Sequence, residues 1–414
     1  MKDMRTLAKK SLGMISGLML ALSGSVTAGT LVINSDASDP APKKAWAEVI
    51  EKFEQANPDI KVKYNLYDHE AYKTTIRNWL VTSPPDVVFW YAGNRMKTFV
   101  DRGLFEDVSD MWQANGMTTD FASAMPAMTV KGKQYGVPYT YYQWGIYYRK
   151  DLFEKYGIAV PKTWEDLVAA SKTLKDNGVT PFTIGTKYLW TAAGWFDYLN
   201  MRVNGLDFHI DLMDGKVPYT DPRVKAVFEK WNDLVEPGYY LDNHASYSWQ
   251  EAQPFLYNGE AAMYLMGNFL AANFTDEVRP NMGFFQFPVI DANVPMAEDA
   301  PMDTLHIPSK AKNKEDARKF LAFVAQPEIQ TMINDALLQI PTNNKATPKE
   351  DEFLNAGVVM LGEAAGTAQF YDRDTDPAMA KEGMKGFQQY MVHPDRIDKI
   401  LEKLEKTRKR TFKQ

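Results

Sequence analysis

The chain has 414 residues and no cysteine, so it can build one large hydrophobic core or two medium ones, and neither disulfides nor a lipid-modified cysteine is open to it. Its formal net charge of −6 argues against broad nucleic-acid binding, which relies on a basic surface. Aromatic residues make up 13% of it, with 10 tryptophans, enough to line a cleft as well as a core.

The first residues read as a secretory signal peptide: a basic start (MKDMRTLAKK), an apolar run (LGMISGLMLALSGSV), then small residues. Val26 and Ala28 occupy the small positions, so cleavage is expected after Ala28. The apolar run falls short of the roughly 20 residues a spanning helix needs. Loss of residues 1–28 leaves 43 basic against 52 acidic side chains. An exported chain without an anchor is retained by a cell with an outer membrane, so the periplasm is the expected location.

Strands and helices then alternate. A strand at Leu31–Asp36 leads to Asp39-Pro40, an N-cap with proline in the first turn, and a helix with Trp46, Val49, Ile50 and Phe53 on one face. Asn57-Pro58 ends it. Ile60, Val62, Tyr64 and Leu66 alternate as a strand. Tyr72, Ile76, Trp79 and Leu80 mark a second helix, which Pro84-Pro85 breaks before a short apolar strand at Asp86–Trp90. The pattern predicts an α/β fold with a mainly parallel sheet. Further on, Thr163-Trp-Glu-Asp166 forms a capping box, Asp221-Pro222 opens a helix, and Asn313 caps another. The stripe Ile397, Ile400, Leu401, Leu404 closes the chain, and its basic tail is expected to be a solvated helix end. No flexible linker or repeat interrupts the sequence, so two lobes joined by short crossovers are expected.

The segment from Gly132 to Leu167, GKQYGVPYTYYQWGIYYRKDLFEKYGIAVPKTWEDL, resembles the signature of extracellular solute-binding proteins of sugar-importing ABC systems. FEQANPDIKV, PPDVVF, FLYNGEAAMYLMGNF and IPSKAKNKEDARKFLAFVAQPEIQ match in the family's order. The resemblance implies two α/β lobes with a ligand cleft between them. It places one lobe at residues 29–138 plus 301–345 and the other at 139–300 plus 346–414, with a hinge at Tyr139–Gln143. It also implies a carbohydrate ligand, permease partners in the inner membrane, and a monomer without catalysis.

Ligands of open α/β sheets bind beyond the carboxyl ends of strands. Sugars need flat apolar faces beside planar hydrogen-bonding groups. Candidates in the first lobe are therefore Ser35 and Asp36, Asp68 and His69, and then Trp90, Tyr91, Asn94 and Arg95. Asp68 and His69 serve equally as caps of the next helix. The hinge adds Tyr139, Tyr141, Tyr142 and Gln143. The second lobe offers Trp190, Gly194 and Trp195, then Tyr247, Ser248 and Trp249, then Asn268 and Phe269. Phe269 stands where the family often has tryptophan, so its platform is expected to be weaker or displaced. Asp303, Thr304 and His306 follow, and Arg373 in QFYDRDTDP is expected to face the cleft.

Cofactor and metal signals are weak. The five histidines lack ligand spacing on a helix, and Asp372-x-Asp374-x-Asp376 has Pro377 where a calcium loop needs glycine. No nucleophile elbow or phosphate loop is present. Two alternatives to a sugar receptor stand: a receptor of the same fold for a non-sugar solute, and a secreted glycoside hydrolase, whose aromatic cleft would carry paired carboxylates.

Overall fold

A computed structural model describes residues 29–412, so the expected signal peptide lies outside the described residues. The first helix, Pro40–Ala56, buries Trp46, Val49 and Phe53 and ends where the Asn57 amide bonds the Phe53 carbonyl. Asp39 does not cap it through its side chain. That carboxylate accepts instead from Gln250 Nε2 at 3.3 Å, a contact from the opposite lobe. The capping box at Thr163 and Asp166 is present, and Asp221 and Asn313 cap their helices as their sequence positions predict. At the C-terminus Arg408 turns inward, donating to Glu405 and to the Gly215 carbonyl, so that end of the last helix is not wholly solvated.

Two sheets organise the chain. The first has the order Ile60–Leu66, Gly29–Ser35, Val87–Tyr91, Met302–His306, Val137–Tyr141. Its first three strands are mutually parallel, while Met302–His306 runs antiparallel to both neighbours. The second sheet has the order Met282–Phe285, Trp144–Arg149, Ala261–Gly267, Thr180–Phe182, and only its last pair is parallel. The expectation of mainly parallel sheets thus fails where the chain changes lobes. A strand that crosses over enters its new sheet at the cleft and runs away from it. Its neighbours end at the cleft, so the pairing is antiparallel.

Buried apolar residues separate into two cores. One draws on residues 31–139 and 302–337, the other on 142–297 and 338–404. The chain passes between them near residues 141–144, 299–302 and 338–351. These crossings are stitched together: the Tyr141 amide donates to the Ile340 carbonyl at 3.0 Å, and the Ile340 amide returns a bond at 2.9 Å. Gln143 Nε2 donates to the Phe353 carbonyl at 2.9 Å. Among the described residues no helix is long and apolar enough to cross a membrane.

Candidate ligand-binding site

A cavity of about 160 Å³ lies between the two cores, against the cleft ends of both sheets. The first lobe presents Asp36 beyond Gly29–Ser35, His69 and Lys73 on the helix His69–Thr82, Trp90 and Tyr91 at the end of Val87–Tyr91, and Asp303 at the start of Met302–His306. The second presents Tyr142 and Trp144 from the crossover, Trp190 at a helix start, Trp249, Phe269, Phe370, Asp372 and Arg373. The rings of the second lobe form a continuous wall. Trp144 stacks on Phe370 with centroids 4.6 Å apart, and Trp249 meets Phe269 edge-on at 5.0 Å. Trp190 stands 6.3 Å from Trp249.

Ionic contacts close the rest. Arg373 Nη1 donates to Asp303 Oδ1 at 2.8 Å and Nη2 to the Tyr142 hydroxyl at 2.9 Å, with its guanidinium 4.0 Å from the centre of the Tyr91 ring. His69 Nδ1 lies 3.0 Å from Asp36 Oδ2. Burial pushes the Asp36 carboxyl up, but the His69 hydrogen bond and charge outweigh it, so Asp36 lies below the ordinary carboxylate value. Burial also works against a charged His69, and Asp36 overcomes it to raise the imidazole. Asp372 is held low in the same way, its burial outweighed by Arg95, Lys73 and Arg373. Asp303 is raised because burial there exceeds the help from Arg373. At the mouth, Trp190 Nε1 donates to Glu70 Oε1 at 3.2 Å across the cleft.

Of the sequence candidates, the structure gathers Asp36, Trp90, Trp190, Trp249, Phe269, Asp303 and Arg373 around this space, with His69, Tyr91, Tyr139 and Tyr142. Others are engaged elsewhere, for visible reasons. Ser35 Oγ accepts from the Ala37 amide, and Asp68 caps its helix through the Ala71 amide. Asn94 reaches the Asp374 carbonyl, and Arg95 lies over Trp90 and 3.8 Å from Asp372, just behind the wall. Tyr141 and Gln143 serve the crossings. Gly194 gives room to Trp144 and Phe370, which a side chain there would crowd. Trp195 is 1% exposed and packs edge-on against Phe182 and Tyr240, as a core residue. Tyr247 packs on Phe255, and Ser248 accepts from the Glu251 amide. Asn268 is buried with the Tyr147 hydroxyl at 2.5 Å, and Thr304 Oγ1 pairs with His306 Nε2 at 2.6 Å. Sequence reasoning missed Lys73, Trp144 and Phe370, and did not place Asp372 in the cleft. Lys73 stands four residues after His69, one helical turn on, and Trp144 directly follows Gln143 at the end of the hinge; both signals were available.

Two α/β lobes around an aromatic cavity edged with carboxylates define a receptor that encloses a small solute. The family model for bacterial extracellular solute-binding proteins matches residues 37–331. An uncharacterised ABC transporter extracellular-binding protein of Pyrococcus horikoshii is 31% identical over 313 residues, which cover 73% of this chain and 69% of that one. The multiple sugar-binding protein of Streptococcus mutans is 25% identical over 67% of each chain. The bacterial solute receptor AcbH, described as exclusively preferring β-D-galactopyranose, superposes with a TM-score of 0.89 at 31% identity, covering 93% of this chain and 100% of its own. The chain belongs to the family of bacterial extracellular solute-binding proteins.

Proposed function

We propose that the protein is the sugar receptor of an ABC importer: it captures a mono- or oligosaccharide or sugar derivative by hinge closure and passes it unchanged to a membrane permease. The observation that carries this reading is the cavity itself, in which Trp144, Trp190, Trp249 and Phe269 face Asp36, Asp303 and Asp372. Aromatic rings accept the C–H faces of a pyranose, and carboxylates accept its hydroxyl protons. A water's share of liquid volume is about 30 Å³. By that measure the space of about 160 Å³ takes roughly five waters, on the scale of one sugar ring. The names of the sugar-binding relatives support the same class of ligand. On this reading the protein works as a periplasmic monomer without a lipid anchor or a cofactor. Its lobes, residues 29–138 plus 301–345 and residues 139–300 plus 346–414, rotate about the three crossings.

A thermal-shift screen of monosaccharides, disaccharides and acidic sugars tests it, since a ligand that binds only the folded state raises the melting temperature. A sugar that raises it and is recovered intact is the expected result. Release of hydrolysis products would instead indicate a glycoside hydrolase.

A further inference from the structure

Behind the cavity wall lies a group of buried acids. Residues 369–374 carry Phe370, Asp372 and Arg373 into the cavity. From the back, the Tyr371 amide donates to Asp197 Oδ2 at 2.8 Å and the Gln369 amide to Asp374 Oδ2 at 3.0 Å. Asp197, on the helix Trp190–Asn204, is wholly buried, and its Oδ1 has no hydrogen-bond partner. His209 Nε2 stands 3.9 Å from that oxygen, too far to bond it, and burial lowers the imidazole to about 4, so it brings no charge. Asp299, on the strand Ala297–Asp299 packed against the same helix, is buried with neither oxygen partnered. The adjacent Arg202 is committed to Glu298 at 2.6 Å. Tyr371 and Tyr219 bond each other through their hydroxyls, and burial keeps both protonated. Asp214, Asp372 and Arg373 complete the charged surroundings, with Arg373 bound to Asp303, and Arg95 of the first lobe faces Asp372 at 3.8 Å.

These acids lie where the lobes move. Asp299 begins the crossing at residues 299–302, to which the wall segment is tied: the Met302 amide donates to Gln369 Oε1 at 3.0 Å, and Arg373 Nη1 to the Met302 carbonyl at 3.3 Å. Asn94 of the first lobe donates to the Asp374 carbonyl, and the Asp374 side chain is partly exposed at that seam. Opening shifts these contacts and lets water reach the acids, and closure dries them.

Resting on the sugar-receptor reading above, we infer that closure around a sugar is linked to proton uptake by Asp197, Asp299 and Asp374, which act as positioning residues behind the wall. An uncompensated carboxylate is costly in a dry interior, so the closed state holds these groups as neutral acids. Burial, and after it the neighbouring carboxylates, move Asp197 and Asp299 well above the ordinary carboxylate value, and burial moves Asp374 up to about 7. Closure raises the values, so affinity is full at low pH and falls as pH rises through them. Once ionised, the acids repel one another and displace the segment that carries Phe370 and Arg373.

Calorimetric titration with D-galactose, D-glucose and D-mannose at about pH 8, in phosphate and in Tris, counts the protons, because the two buffers differ in their heat of ionisation. The hexose that binds should take up about half a proton or more, and its affinity should fall at least about tenfold from about pH 6.5 to about pH 9. Asp299→Asn cannot ionise, so it should take up fewer protons and flatten that fall. Asp36, His69 and Asp303 in the cavity are the same in both proteins, so the difference isolates the buried acids. Asp374→Asn, at the seam, replaces Asp299→Asn if the latter does not fold. Equal heats in the two buffers, or a proton count and pH profile unchanged in a folded variant, overturn the inference and leave the sugar reading intact. Failure of all three hexoses to bind counts against the sugar reading, and small-angle scattering of the free protein then decides the linkage. A radius of gyration that grows with pH in the parent, and less in the variant, supports it; matching curves overturn it.

Discussion

Arg373 of the second lobe donates to Asp303 of the first at 2.8 Å, and both line the cavity. The side chain expected from sequence to grip a ligand is thus also a strut between the lobes. Burial would lower the guanidinium pKa, but the Tyr142, Asp303 and Tyr91 surroundings raise it, so its charge is secure.

Arg373→Lys keeps the charge and loses the planar fork, so one ammonium cannot reach both Asp303 and Tyr142 from one plane. Sequence alone expects Arg373 to face the cleft, and its bond to Asp303 adds a structural role to that one. A hydrogen bond to a charged group contributes about 1.5–3 kcal/mol. The variant should melt a few degrees lower without ligand as well as bind sugar more than about tenfold more weakly, about 1.4 kcal/mol. Scanning calorimetry of the free protein checks it; an unchanged melting temperature would mean that the strut contributes nothing.

Trp249→Ala and Trp195→Ala should separate cleanly. Trp249 lines the cavity, so its loss should weaken sugar binding by about 1–3 kcal/mol with little effect on folding. Trp195 is sealed in the second core, so its loss should destabilise the fold by about 3–5 kcal/mol. Denaturant melts and titration calorimetry on both variants read the two effects, and equal behaviour would be the contrary result.

Those two residues also show how far the sequence could be read. Trp190 and Trp195 stand five residues apart on one helix, which places them about 140° apart around its axis. Only one can face the cleft. The helix Trp190–Asn204 is buried on nearly every side, so no polar stripe marks which one it is. Asp36 and Asp68 both follow a strand, and they differ only in that a helix amide claims Asp68. The elements themselves were legible because caps, prolines and periodic apolar faces act locally. Phe370 was not, because its partner Trp144 lies 226 positions away and only the fold brings them together.

Asp374 supplies a pH test. Burial moves its carboxyl up to about 7, the Gln369 amide opposing and Asp214 adding. A folded-state value above the ordinary 3.8 means that its contribution is full below 3.8 and is lost as pH rises through about 7. Asp374→Asn keeps an acceptor for the Gln369 amide, which lies 3.0 Å from Oδ2, and cannot ionise. Relative to the parent, the variant should gain stability steadily between about pH 4 and about pH 7.5. A stability difference that does not change across that range would remove Asp374 from the pH response.

The central claim is that a sugar is enclosed between the two lobes. A crystal structure of the protein with the hexose that stabilises it most tests this directly. The account predicts one sugar ring against the Trp190, Trp249 and Phe269 wall, with hydroxyls within hydrogen-bond distance of Asp303 and Asp372 and the Arg373–Asp303 pair intact. A sugar bound outside the cavity, or bound there with Arg373 turned from Asp303 to the ligand, would contradict it.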